Sequence, residues 1–187
     1  MNKLTERLVI GGVALLVGLL IGWAVRGVAT YNTSTESVTM YSDWRTACPP
    51  AQAKDQNCQM IEEVLDTRSQ QPVVRIAIGA EKGKQEMIFT VPLGLALQPG
   101  MGVIFGTDPV RTFPYRTCNS VGCIAVFPLD AKALTALNTA KDGRVLFAGL
   151  DGKPVAVPLS LKGYPEASHA YRSAEARRGS WFWRMFS

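Results

Sequence analysis

The sequence predicts a mainly β protein, a β-sandwich with two short helices, preceded by one N-terminal transmembrane helix. Three observations carry that expectation. Residues 8–25 hold no charge and lie between Arg7 and Arg26. Downstream, seven or eight short runs of strand character recur between turn residues. Four cysteines form two close pairs, Cys48 with Cys58 and Cys118 with Cys123, all beyond the apolar segment. A membrane-targeted chain whose cysteines all follow the targeting segment is expected outside the cytosol, where thiols oxidise.

The first element is the apolar segment. At about 1.5 Å per residue, a helix over residues 8–25 reaches roughly 27 Å, close to the hydrocarbon thickness of a bilayer. Read as an anchor, it places Trp23 near the outer interface, where an indole is half in water. Lys3 and Arg7 outnumber Arg26, which favours a cytoplasmic N-terminus and a single-pass inner-membrane protein with its domain in the periplasm. Gly18 and Gly22 stand four apart, a spacing that lets a second helix approach closely. The alternative is a signal peptide cleaved after Gly27-Val28-Ala29, leaving the domain in the periplasm or outer envelope. Its apolar stretch is longer than the roughly 7–15 residues usual there, and Trp23 and Arg26 crowd the site. The chain then divides into an anchor or signal at 1–29, a polar spacer at 30–37, a sandwich domain at 38–170 and a basic aromatic tail at 171–187.

Within the domain, residues 38–44 alternate apolar and polar as a half-buried strand does, and 59–65 form a second candidate. Residues 73–78 and 86–91 flank Lys82-Gly83-Lys84 as a hairpin. Residues 102–106 and 123–127 follow, each bounded by Gly, Pro or Asp. Residues 144–150 and 153–161 enclose Asp151-Gly152, the clearest hairpin, since Asp-Gly supplies the positive φ of a tight turn. Asp130 caps a helix running to Asn138, and 165–178 is a second helix rich in Ala, Glu and Arg.

Composition narrows the function classes. Without residues 1–31 roughly 155 residues remain, enough for one domain with a sizeable core. The formal charge of +5 falls to +3 there, 17 basic against 14 acidic residues, with no basic block in the body of the domain. Nucleic acid is therefore not an expected partner. His169 is the sole histidine, and no Gly-x-Ser-x-Gly motif is present, so a solvent-facing or packing role is expected for it. Glu62 and Glu63 are adjacent and in a strand point to opposite faces, a poor acid/base pair. No glycine run forms a phosphate loop before a helix. Neither a catalytic residue, a metal, a cofactor nor a small-molecule substrate is expected.

Nine residues separate Cys48 from Cys58 and four separate Cys118 from Cys123. Neither pair is Cys-x-x-Cys, and structural disulfides are the expectation. Local pairing is the simplest of three connectivities, which the sequence leaves open.

An ordered set of patterns now stands out. Asp43-Trp44-Arg45-Thr46-Ala47-Cys48 comes first, with Cys58 a short loop later; Val91-Pro92-Leu93-Gly94 leads through Leu95-Ala96-Leu97 to Gln98-Pro99-Gly100. Phe113-Pro114-Tyr115-Arg116-Thr117-Cys118, Gly122-Cys123-Ile124-Ala125 and Gly152-Lys153-Pro154-Val155 follow, and Ser160-Leu161-Lys162-Gly163-Tyr164-Pro165-Glu166-Ala167 closes the series. Together they span about residues 38–170, and the chain resembles the invasion-associated locus B proteins of Gram-negative bacteria. The resemblance implies an Ig-like β-sandwich in the periplasm or envelope with both disulfides local, and a family named for host-cell invasion. The anchor-like N-terminus and aromatic tail depart from the commoner family pattern.

The tail carries Trp181, Phe182, Trp183 and Arg184, residue types that suit membrane interfaces and protein-interface anchors. A terminal segment packed across its own sandwich is the plainer reading. The expectation is a non-enzymatic, membrane-anchored periplasmic protein that binds or stabilises an envelope partner. In its most specific form it is an accessory subunit of an inner-membrane, respiratory complex. Gly18 and Gly22 would then face a partner helix, and Trp23, Trp181, Phe182, Trp183 and Arg184 would dock on partner or lipid bilayer. The alternative is an exported envelope or virulence factor of the invasion-associated type.

Overall fold

The structure, a computed structural model, describes residues 3–31, 36–50, 53, 55–66, 71–81 and 84–180, without the side chains of 3–10, 26–31 and 81. The first element is helix α1 (Lys3–Tyr31), 29 residues long. Among the described residues no helix is long and apolar enough to cross a membrane. The described side chains of α1 cover residues 11–25, about 22 Å of helix, which is short of a bilayer core of roughly 30 Å. The transmembrane expectation therefore finds no support in this part of the structure. Trp23 is 76% exposed, and nothing packs within 4 Å of where a side chain would project at Gly18 or Gly22.

The domain comprises β1 (Ser37–Tyr41), β2 (Trp44–Cys48), β3 (Gln59–Leu65), β4 (Pro72–Glu81), β5 (Lys84–Val91) and β6 (Leu95–Ala96). Then follow β7 (Met101–Phe105), β8 (Arg111–Phe113), β9 (Tyr115–Asn119), β10 (Gly122–Pro128), α2 (Ala131–Thr139), β11 (Asp142–Gly149), β12 (Pro154–Ser160) and α3 (Tyr164–Gly179). A seven-stranded antiparallel sheet has the order β1-β2-β3-β4-β5-β10-β9, and a five-stranded sheet has the order β12-β11-β7-β8 with β6 also on β11. The expectation of a mainly β sandwich with short helices agrees with this architecture.

The described strands outnumber those expected, for local reasons. Residues 38–44 are not one strand. The chain reverses at Ser42-Asp43, with Ser42 at φ 53°, so that Tyr41 pairs with Trp44. Strands β6 and β8, two and three residues long, are too short to show a period and exist because β11 and β7 pair with them. The hairpins expected around residues 82–84 and Asp151-Gly152 are present, although residues 82–83 lie outside the described set. Gly152 takes the positive φ (73°) its turn demands. Asp130 caps α2, its carboxylate accepting from the Ala133 N–H at 2.7 Å.

Alternation in each strand sends one face inward. Ile76, Ile78, Met87 and Phe89 of the large sheet meet Met101, Val103 and Val145 of the small one in a single core. Phe127 joins the layers edge-to-face, 5.7 Å from Phe105 and 4.7 Å from Phe113. Helix α3 closes the core where the small sheet ends, burying Tyr164, Ala167 and Tyr171. It runs straight through residue 171, where the sequence divided domain from tail.

Candidate functional site

Two of the sequence patterns meet at the edge of the core. The fully buried Trp44 donates its indole N–H to the Ser160 carbonyl at 3.0 Å. Its ring meets Tyr164 edge-on, with centroids 5.3 Å apart. Asp43 accepts from the Ser160 hydroxyl, and Glu62 accepts from the Ser160 N–H at 3.0 Å. Gly163, at φ 79°, lies so close to the Tyr41 carbonyl that a Cβ would overlap it. The Asp43-Trp44 and Ser160–Ala167 patterns are thus two halves of a latch that fastens β12 and α3 to β2 and β3.

Glu62 is the unexpected member. Its alternation partners in β3, Met60 and Val64, face the core, and Glu62 itself is only 3% exposed. Its second carboxylate oxygen has no hydrogen-bond partner. Loss of solvent drives its pKa up to about 8, assisted by Asp43 and opposed by the Ser160 N–H. The group is therefore mainly neutral at pH 7. The signal was present in the sequence, because the apolar alternation of 59–65 points Glu62 inward. Glu63 points to the opposite face from Glu62, as expected of neighbours in a strand, into a fork with Arg45 (3.0 Å) and Arg75 (3.4 Å), and hydrogen bonding from Arg45 holds it below the usual carboxylate range.

The outward face of the large sheet is the feature best suited to binding. One register row runs Met40, Arg45, Ile61, Ala77, Ile88 and Val126 across six strands. The row begins on β1, an edge strand, where Met40 is 62% exposed and Val38 beside it is 55% exposed. On this face a groove of about 610 Å³ opens over Ala47, Ile61 and Ile88, with Glu36 and Glu86 also lining it. Its wall is the loop closed by the Cys48–Cys58 disulfide, through Pro49, Pro50 and Gln56.

That wall is held firmly. Asn57 donates to the Ala80 carbonyl at 2.9 Å. Glu175 of α3 accepts from the Cys58 N–H at 2.6 Å. Arg178 donates to the carbonyls of Pro49 (3.0 Å), Ala53 (2.7 Å) and Gln56 (2.9 Å). A guanidinium has the five donors such a grip needs. The second disulfide, Cys118–Cys123, staples facing positions of the β9–β10 hairpin. Both cysteine pairs are local, as the resemblance implied.

The remaining expected site residues fall on helices α1 and α3 or outside the described residues. Gly18, Gly22 and Trp23 are exposed on α1, and Trp181, Phe182, Trp183 and Arg184 lie outside the described residues. His169 is exposed on α3. Among the described residues no group of three or more His, Cys, Asp or Glu is placed to hold a metal ion.

A family model described as invasion associated locus B (IalB) protein matches residues 44–172. The chain is 29% identical over 129 residues to invasion protein B homologues from two strains of Brucella abortus, covering 68% of this chain and 74% of each relative. The crystal structure of invasion associated protein b from Bartonella henselae has a similar fold. The TM-score is 0.66 at 19% identity, over 75% of this chain and 99% of that one.

Proposed function

The chain belongs to the invasion associated locus B family, and on that premise we propose that it is an exported, non-enzymatic envelope protein that binds a protein partner through the outward face of its large sheet. The observation that carries this reading is the row from Met40 to Val126 with its groove beside the disulfide loop. A solvated sheet face ordinarily alternates to polar residues; this one keeps Met40, Ile61, Ile88 and Val126 in line, with exposed Val38 alongside.

The relatives' names associate them with invasion, which favours a partner outside the inner membrane. Two disulfides suit an oxidising compartment. Neither the fold nor the relatives offer an observation pointing to a respiratory complex, so the accessory-subunit expectation gives way to the exported-factor one. Residues 8–25 direct the chain to the inner membrane. A mature N-terminus at Thr30 marks release, and an intact one marks a single-pass anchor with the domain in the periplasm.

The test uses the full chain in its own host, with the photo-crosslinker p-benzoylphenylalanine in place of Met40. One protein adduct is expected, falling at least five-fold on Val38→Asp while both disulfides and the far-ultraviolet spectrum persist. An adduct yield indifferent to Val38→Asp sinks the reading.

A further inference from the structure

Four strands end the two sheets: β1 and β9 in the large one, β12 and β8 in the small one. An open edge pairs readily with another extended chain, and proteins guard such edges with charge, proline, bulges or brevity. Three of the four carry a guard. Strand β9 holds Arg116 and faces a register shift at Ile124/Ala125. Strand β12 holds Pro154 and Pro158. Strand β8 is three residues long, begins at Arg111 and runs into Pro114. Strand β1, Ser37-Val38-Thr39-Met40-Tyr41, has neither charge nor proline and pairs with β2 in unbroken register. Its other edge pairs with no strand among the described residues.

The turn at Ser42-Asp43 fixes which groups that edge offers. Tyr41 and Trp44 close the hairpin as a hydrogen-bonded pair, and such pairs alternate along the strand. Ser37, Thr39 and Tyr41 therefore spend their backbone N–H and C=O on β2, while Val38 and Met40 aim theirs outward. A second β1, running antiparallel about a two-fold axis at Thr39, meets that pattern. It sets Val38 opposite Met40 of the second copy and Met40 opposite Val38, each pair exchanging both backbone bonds. The two side chains share the outward face and are 55% and 62% exposed, so apolar meets apolar. No charge on the strand is opposed by another. The row that begins at Met40 then continues into the second copy.

We propose that β1 pairs with β1 of a second copy about Thr39, joining the two large sheets edge to edge. The proposal rests on the docking reading above, which puts a protein at Met40, and identifies that protein as another molecule of this chain. One strand pair of this length buries less than the roughly 1,000 Å² of a stable interface. The pairing is therefore reversible, and a covalent trap is the means to catch it.

The experiment makes Thr39→Cys in the full-length chain in its own cells, read by non-reducing electrophoresis and peptide mapping. On the axis the two introduced thiols occupy a non-hydrogen-bonded pair, with Cα atoms about 4.5 Å apart and within disulfide range. A dimer linked through position 39 is expected, with both native disulfides intact. Ser37→Cys is expected to stay monomeric, because Ser37 lies about 13 Å along the strand from its counterpart in the second copy. Adding Val38→Pro to Thr39→Cys removes an outward N–H, which an edge strand tolerates. It is expected to cut the linked dimer about ten-fold, and Met40→Pro replaces it if the native disulfides do not form. A monomeric Thr39→Cys, equal linkage from Ser37→Cys, or linkage indifferent to the proline overturns the proposal. If the Met40 crosslinker captures a different protein while Thr39→Cys stays monomeric, the docking reading holds and the second copy is overturned. If neither crosslinks, both fail.

Discussion

Replacing Glu62 by glutamine isolates the energetic effect of the one carboxylate buried in the core among the described residues. The folded protein holds the Glu62 proton up to about pH 8, whereas the unfolded chain releases it near 4.5. Below pH 4.5 both states are protonated and the group has no pH-dependent effect. Between about 4.5 and 8 unfolding releases a proton, so stability falls as pH rises, by about 1.4 kcal/mol per unit. Above pH 8 both states are ionised and the slope ends. The whole window amounts to roughly 3–5 kcal/mol, a large share of a small domain's stability. Glutamine keeps an acceptor for the Ser160 N–H and cannot ionise. Glu62→Gln is expected within about 1 kcal/mol of the parent at pH 5 and more stable by roughly 3–5 kcal/mol at pH 9. Urea unfolding of the oxidised protein, followed by circular dichroism at unit steps from pH 5 to 9, measures the difference. A gap that stays constant across that range refutes the reasoning, because it means Glu62 has the same proton affinity folded and unfolded.

Three further outcomes follow from the geometry. Gly163→Ala drives a Cβ into the Tyr41 carbonyl at a left-handed φ and is expected to cost more than about 2 kcal/mol; a thermal midpoint unchanged from the parent would contradict the latch. Arg178→Ala removes the hydrogen bonds that hold the Cys48–Cys58 loop. It is expected to cost about 2 kcal/mol and to speed hydrogen exchange at residues 53–57, and Arg178→Lys should not restore either, since an ammonium lacks the fork. Replacing both Cys48 and Cys58 by serine should destabilise by about 3 kcal/mol, against about 2 kcal/mol for Cys118 and Cys123, as their loop lengths dictate. Denaturant midpoints in the reverse order would show that local strain or packing dominates over loop entropy.

Most long strands were legible because their periods are strong: β3, β4, β5, β11 and β12 each alternate or run apolar between turn residues. The short strands β6 and β8 were not, since two or three residues carry no period and owe their conformation to a neighbour supplied from far along the chain. The Ser42 reversal was missed for a related reason. No Gly or Asn announces it, and Ser42 is held at positive φ by the Tyr41–Trp44 pairing. Helix α3 was placed within a residue at each end, but its packing was not, because Tyr164, Ala167 and Tyr171 become a buried stripe only against the core.

The candidate site divides the same way. Sequence by itself determined the spacing of the cysteines, the opposed faces of Glu62 and Glu63, the cap at Asp130 and the family resemblance, because each depends on neighbours along the chain or on an ordered string of residues. Only the tertiary structure set Glu62 against Ser160, across 98 positions, and gripped the first disulfide loop with Arg178, across more than 120. It alone lined up Met40 through Val126 on one face. Those relations depend on strand register and on how a helix closes over a sheet, and a linear pattern does not encode either one locally.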